Sequence, residues 1–221
     1  MSTYLEACKA ALGSFDAHEL SNRPLGENLG QGSHFNFRSL GKTPVSNATV
    51  EYVGLKVPIL HWPHGLLRMV DELALIDLAT QVTPAFLPHA PSFMGLVKVE
   101  GSKSQAVITE DASQSGQRTV ISRAASPEVR RMLHAPFKEL GSESAVLDTE
   151  KCHKSISFDI EGYERVLDLY SPPISFRVLG KSDAYQAARD RVEDSLDALT
   201  VTIPLDSLLG QALHESPTVV H

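Results

Sequence analysis

Three kinds of residue, in a fixed order along the chain, have side chains or backbones suited to binding phosphate groups. The glycine-rich segment Gly30-Gln31-Gly32-Ser33 comes first, Lys56 follows in Gly54-Leu55-Lys56-Val57, and Glu72 comes third. A glycine-rich turn between strands can present backbone N–H groups to phosphate oxygens. A strand lysine can reach the same oxygens, and a helix glutamate can hold that lysine by an ion pair. Each residue alone also fits an ordinary structural role, so the prediction depends on their order.

These residues need a sheet and a helix to bring them together. The alternating run His34–Arg38 after the glycines predicts a hairpin, and Thr49–Val57 is rich in the β-branched and aromatic residues that favour strands. Apolar residues recur every three or four positions over Gly65–Gln81, which predicts an amphipathic helix. Two more strands are predicted over Phe93–Val99 and Gln105–Glu110. The order is therefore three strands, one helix and two strands.

The flanking segments predict smaller elements. A short helix is predicted over residues 3–12, and Ser126-Pro127-Glu128 is typical of a helix start, with serine at the cap and proline in the first turn. Ser155–Ile160 and Arg165–Leu169 predict the two strands of a hairpin. Ala184–Leu199 predicts a charged helix, and the residues past Leu213 predict a frayed tail.

Composition excludes several functional classes. The 221 residues are 42% hydrophobic and 21% charged, which is ordinary for a folded domain. A net charge of −7 argues against nucleic-acid binding and against adsorption to anionic membranes through bulk charge. Cys8 and Cys152 lack CxxC spacing, which favours two reduced thiols in a protein of cytosolic type. We see neither a classical signal peptide nor an apolar run long enough for a membrane span.

The order of the motifs resembles that of the protein-kinase-like fold over residues 24–170. Gly30-Gln31-Gly32-Ser33 resembles the glycine-rich loop, although Phe35 stands where a third glycine is usual. Val53-Gly54-Leu55-Lys56 resembles the strand motif that carries the phosphate-binding lysine. The resemblance implies that Glu72 is its ion-pair partner, with Asp71 as a possible substitute.

The same resemblance implies a hinge and an adenine contact. Glu110–Ser113 is similar to the segment at which family members present backbone groups to adenine, and Glu110 and Ala112 are the implied positions. This hinge would join a five-stranded lobe to a second lobe.

The second half of the chain resembles the family's catalytic and metal-binding segments. Asp168-Leu169-Tyr170 stands where the metal-binding Asp-Phe-Gly belongs. Asp148 resembles the residue that accepts the proton of the acceptor hydroxyl, and Lys151 the residue that neutralises the γ-phosphate. The family's second metal ligand is an asparagine, which His153 replaces here, or Ser155 if the loop is shifted.

Other interpretations of these residues stay open. Asp168 also fits a solvated carboxylate that follows a strand, and Asp148 also fits a surface loop. His153 also fits an exposed or hydrogen-bonded histidine, because Mg²⁺ prefers hard oxygen ligands to imidazole.

The resemblance implies an α+β fold with two lobes. We predict an N-terminal helical extension over 1–19, a five-stranded antiparallel N-lobe with one helix over 20–112, a reduced, mainly helical C-lobe over 113–213, and a flexible tail over 214–221. The residues after Asp168 contain no Ala-Pro-Glu and are too few for a full activation segment together with the usual helical C-lobe. The chain is therefore most similar to minimal kinases, such as those that some bacteria deliver as effectors.

The function implied is ATP- and Mg²⁺-dependent phosphotransfer by a minimal Ser/Thr protein kinase. The acceptor would be a protein, and the location either the cytoplasm or a host cell that the effector enters. Two alternatives stand beside it. One is a pseudokinase that binds nucleotide or protein without transfer, favoured by Phe35, His153 and Tyr170. The other is a small-molecule phosphotransferase, whose relatives generally have a larger C-lobe.

Overall fold

The structure is a computed structural model that describes residues 3–31, 35–42, 52–58, 64–111, 120–122, 126–133, 135, 157–160, 163–166 and 183–216. Within these residues the α-helices are α1 (Tyr4–Gly13), α2 (Ala17–Ser21), α3 (His64–Val82), α4 (Pro127–Leu133), α5 (Asp183–Glu193) and α6 (Leu208–Glu215). The strands are β1 (Asn28–Gln31), β2 (Phe35–Lys42), β3 (Tyr52–Pro58), β4 (Met94–Val99), β5 (Gln105–Glu110), β6 (Val120–Ser122), β7 (Ser157–Ile160), β8 (Tyr163–Val166) and β9 (Thr200–Ile203). A 3-10 helix covers Pro84–His89. The class is α+β, as predicted.

The chain divides into two compact units, each assembled from separate segments. The six-strand unit comprises Glu6–Met69, Ser92–Gln114 and Leu196–His221. The three-strand unit comprises Met1–Leu5, Val70–Pro91 and Ser115–Ser195. Each unit has its own sheet, and each is described separately below.

The sheet of the six-strand unit has the order β1-β2-β3-β5-β4-β9. The first five strands in this order pair antiparallel, whereas β9 pairs parallel with β4. The prediction of five antiparallel strands was therefore wrong in number, and the sheet is mixed. The helix predicted through Leu199 ends at Glu193, and turns over 194–199 lead into β9. The β-branched sequence Thr-Val-Thr-Ile then favours a strand, with Val201 and Ile203 buried.

One face of this sheet is covered by α1. The side chain of Leu12 occupies the space that a Cβ at Gly95 of β4 would need, so the helix approaches the strand closely. The Cys8 thiol accepts a hydrogen bond from the Met94 amide at 3.4 Å, and the rings of Phe15 and Phe93 meet edge to face at 5.4 Å. The contacts extend from the middle of α1 to the loop that follows it, and they hold this segment against β4.

Two side chains tie the segment before β1 to β2. The Arg23 guanidinium donates to the Leu40 carbonyl at 3.1 Å and to the Lys42 carbonyl, and it pairs with Glu19 on α2 at 2.8 Å. Arg38 Nε donates to the Gly26 carbonyl at 2.8 Å. These guanidinium groups thereby supply hydrogen-bond donors to backbone carbonyls of β2 and of the segment before β1.

The three-strand unit contains most of α3, the 3-10 helix, α4, α5 and a sheet of order β6-β7-β8. Nearly every residue of α3 from Met69 to Thr80 is buried, and α5 buries the face formed by Tyr185, Ala188 and Val192. The predicted hairpin lies at β7 and β8, with its second strand beginning at Tyr163, two residues before the predicted start. Among the described residues, no helix is long and apolar enough to cross a membrane.

Candidate functional site

The register of the larger sheet places two predicted phosphate-binding residues in one row. Gly30 on β1 lies opposite Phe37 on β2, Phe37 lies opposite Lys56 on β3, and Lys56 lies opposite Val107 on β5. Residues directly opposite one another in antiparallel strands present their side chains to the same face. Two strand spacings separate Gly30 from Lys56, so their backbones are about 10 Å apart. The row therefore brings the start of the glycine-rich segment and the strand lysine onto one face.

Lys56 is buried in the middle of this face, with 6% of its surface exposed. Leu55 and Val57, its neighbours along β3, point to the opposite face and are also buried. Removing an ammonium group from water is costly unless a charge or hydrogen bond compensates it. A buried strand lysine is thus a more specific feature than the solvent-exposed lysine that an alternating strand usually carries.

Gly54 allows an aromatic ring to lie beside Lys56. A Cβ at Gly54 would stand 2.5 Å from Cζ of Phe37 and 3.1 Å from the Arg38 carbonyl oxygen. The Phe37 ring therefore occupies the place of a side chain at Gly54, on the face that carries Lys56. This contact explains why the strand has a glycine two residues before its lysine.

The end of β5 is held by hydrogen bonds on both sides. Glu110 is buried, and its carboxylate accepts a hydrogen bond from the Ser92 amide at 2.9 Å. The amide of the buried Asp111 donates to the Tyr52 carbonyl at 2.8 Å, which extends the contact with β3. The segment that resembles a hinge thus begins from a fixed strand end, and the Glu110 side chain supports the loop before β4.

Glu72 lies on α3 in the three-strand unit and is partly buried, whereas Lys56 belongs to the six-strand unit. The neighbouring Asp71 accepts a hydrogen bond from the Tyr185 hydroxyl at 2.9 Å and pairs with Arg189 Nε at 3.3 Å. Burial raises the pKa of the Tyr185 hydroxyl far above its usual value, and the negative charge of Asp71 raises it further. Asp71 is therefore engaged with α5.

A second carboxylate of α3 also contacts α5. Asp77 is 1% exposed, and its Oδ2 accepts hydrogen bonds from Arg191 and Gln81, each at 2.8 Å. The sequence predicts Asp71 only as a substitute ion-pair partner for Lys56 and predicts no role for Asp77. The signal that points to their role is the presence of two arginines, at 189 and 191, on a later charged helix.

The remaining predicted site residues fall outside the described part of the chain. Their roles in phosphate, adenine, proton and metal binding stay predictions: Gly32, Ser33, Ala112, Asp148, Lys151, His153, Ser155 and Asp168. Within the residues that the structure describes, no group of three or more His, Cys, Asp or Glu side chains is arranged to hold a metal ion.

Comparison with known proteins provides no relative for this chain: no family model, no curated protein and no solved structure matches it. The interpretation of the site therefore depends on its own residues.

Proposed function

We propose that the protein is an ATP- and Mg²⁺-dependent phosphotransferase of protein-kinase-like architecture that phosphorylates a Ser or Thr hydroxyl of another protein. The observation that carries the proposal is the row Gly30–Phe37–Lys56, which aligns the glycine-rich segment with a buried lysine on one face of a sheet. The chain order of three antiparallel strands, a helix and two further strands, on which the resemblance is based, supports it.

In this proposal the groups of the six-strand unit bind the nucleotide. Backbone amides of the glycine-rich segment contact phosphate oxygens, and the Lys56 ammonium neutralises charge on the α- and β-phosphates. The β5 end at Glu110, with Ala112 beyond it, presents backbone groups to adenine. Because Lys56 is buried, water screens its charge less than it screens an exposed lysine, which strengthens its interaction with phosphate.

The remaining roles belong to residues outside the six-strand unit. The resemblance assigns Glu72 the role of ion-pair partner to the lysine, Asp148 that of orienting the acceptor hydroxyl and accepting its proton, and Lys151 that of neutralising the γ-phosphate. Asp168 would be the first ligand for Mg²⁺, with His153 or Ser155 as the second, and the ion would neutralise charge on the phosphates. Bound ATP supplies the transferred phosphoryl group, and positioning and charge neutralisation by the protein accelerate its transfer.

A second candidate is a pseudokinase that binds nucleotide without transferring phosphate. Phe35 favours it, because this residue stands where a third glycine is usual. In the structure Phe35 is the first residue of β2 and lies opposite Pro58 on β3. A bulky residue at the end of the glycine-rich segment restricts how closely the backbone approaches a phosphate.

Replacing Lys56 by methionine tests the proposal. Methionine keeps most of the length and the apolar character of the lysine stem and removes the charge, so we expect Mg²⁺-dependent transfer from labelled ATP to fall about 100-fold or more. Lys98→Met is the matched control, because Lys98 is exposed on β4 and shares the sheet face of Lys56.

Two results of this test have different consequences. Undiminished transfer by a folded Lys56→Met protein overturns the proposal. A rise in melting temperature with Mg²⁺ and ATP that Lys56→Met abolishes, without transfer by any form of the protein, identifies the pseudokinase instead.

A further inference from the structure

An open groove lies between the end of β9, the start of the turn after β4, and α6. Its volume is about 490 Å³, and its surface is mainly apolar. Pro204 and Leu205 provide the apolar lining, while Glu100, Asp206 and Glu215 place carboxylates around it. All of these residues belong to the six-strand unit, and none of them takes part in the proposed nucleotide site.

Leu205 gives this groove exposed apolar surface, and a second exposed leucine, Leu208, follows three positions later but does not line the groove. Leu205 is 39% exposed and Leu208, at the first turn of α6, is 52% exposed. Apolar surface bordered by polar residues, as at Pro204 and Leu205, is a feature of protein interaction sites. By contrast, Leu209 and Leu213 of the same helix are buried in the core.

Hydrogen bonds hold the backbone around the groove in place. Ser207 caps α6 by accepting a hydrogen bond from the Gly210 amide at 3.1 Å, and its hydroxyl donates to the Pro204 carbonyl at 2.6 Å. The Glu100 amide donates to the Ile203 carbonyl at 2.9 Å, and His214 shares a hydrogen bond with Ser102 Oγ at 3.1 Å. A surface held in this way loses little conformational entropy when a partner binds.

The carboxylates around the groove indicate which kind of partner it binds. Carboxylates on several sides of an apolar lining are complementary to a segment that carries both basic and apolar side chains. A second copy bound through the same face would bring these carboxylates against one another, which is unfavourable in a two-fold contact. Small-molecule sites enclose most of their ligand, and this groove is open to solvent.

We propose that the groove formed by Glu100, Pro204, Leu205, Asp206 and Glu215 is a docking surface for a basic, leucine-containing segment of a partner protein. The leucine side chain contacts Pro204 and Leu205, and flanking Lys or Arg side chains pair with the carboxylates. The interaction is independent of phosphotransfer and does not require the nucleotide site.

Fluorescence anisotropy of a labelled peptide tests this proposal with the full chain. The probe is the peptide Lys-Leu-Arg-Lys-Leu-Arg. Two matched peptides replace either its leucines by serine or its basic residues by glutamate. We expect the first to bind, each matched peptide to bind about tenfold or more weakly, and affinity to fall as salt is raised, because the rim charges are exposed.

Variants of the protein locate the binding site. Leu205→Ser and Glu215→Lys are each expected to weaken binding about fivefold or more. Leu29→Ser is the control, because Leu29 is also 39% exposed but lies on β1, at the other edge of the same sheet. Circular dichroism checks that each variant is folded.

Three results overturn the proposal. The first is the absence of peptide binding up to about 1 mM. The second is binding that Leu205→Ser and Glu215→Lys leave unchanged. The third is a wild-type chain that sediments as a dimer and becomes monomeric with Leu205→Ser, which would make a second copy the occupant.

Discussion

At the scale of single residues, the packing of Phe37 on Gly54 determines the surroundings of Lys56. Any side chain at position 54 meets the Phe37 ring at 2.5 Å and the Arg38 carbonyl at 3.1 Å, and the second contact is with backbone that cannot rotate away. We expect Gly54→Ala to lower the free energy of unfolding by about 1–3 kcal/mol, as overpacking does elsewhere. Urea denaturation measures this change.

Gly13→Ala is the control for this prediction. A Cβ at Gly13 meets no atom within 4 Å, so the same chemical change adds no clash there. Equal stabilities of the two variants would show that Phe37 does not constrain position 54.

Lys56 shows which features of a single residue the sequence predicts and which it does not. Its β-branched neighbours predicted a strand, and the structure has one over Tyr52–Pro58. Its burial and its alignment with Gly30 depend on how three strands pair, which no local pattern specifies. The hydrogen bond from the Ser92 amide to Glu110 was not predictable for the same reason, since 18 residues separate its partners.

At the scale of elements, the contact between α3 and α5 includes a buried tyrosine hydroxyl. Tyr185 keeps its proton in the folded protein because burial and the charge of Asp71 raise its pKa, whereas an exposed tyrosine in the unfolded chain loses its proton near pH 10. Above that pH the unfolded chain binds fewer protons than the folded one, so stability must fall as pH rises. The stabilising contribution is complete below about pH 10.

The comparison of wild type with Tyr185→Phe tests this pH dependence. We expect the free energy of unfolding of the wild type to decrease above about pH 10 by up to about 1.4 kcal/mol per pH unit more than that of the variant. Other groups that titrate in this range are common to both proteins and cancel in the difference. Parallel pH profiles would contradict a protonated, buried Tyr185.

The elements found from the sequence and those missed differ in length and in the range of their contacts. The helix over Gly65–Gln81 and the strands β4 and β5 have strong periodicity, and the structure places them within one residue of the prediction. We missed β9, which has four residues and pairs with a strand about a hundred positions earlier. We also missed α6, whose eight residues follow a tight turn capped by Ser207.

At the scale of the whole molecule, the late strand β9 forms one edge of the sheet in the six-strand unit. Ile203 on β9 is fully buried in this unit, while Thr202 beside it is exposed. A strand added to the edge of an otherwise antiparallel sheet is integral to the fold only if its buried side chains contribute to the common core.

Substitutions on β9 decide whether the strand is integral. We expect Ile203→Ala to lower the free energy of unfolding of the six-strand unit by about 2–5 kcal/mol, because it removes buried apolar groups and leaves a cavity. Thr202→Ala, on the exposed side of the same strand, should change it by less than about 1 kcal/mol. Hydrogen exchange of the β4 and β5 amides measures the effect within this unit, and the loss of protection should follow Ile203→Ala alone. If both variants kept full protection, β9 would be a peripheral addition to a self-sufficient sheet of five strands, which is the arrangement that the kinase-like resemblance implies.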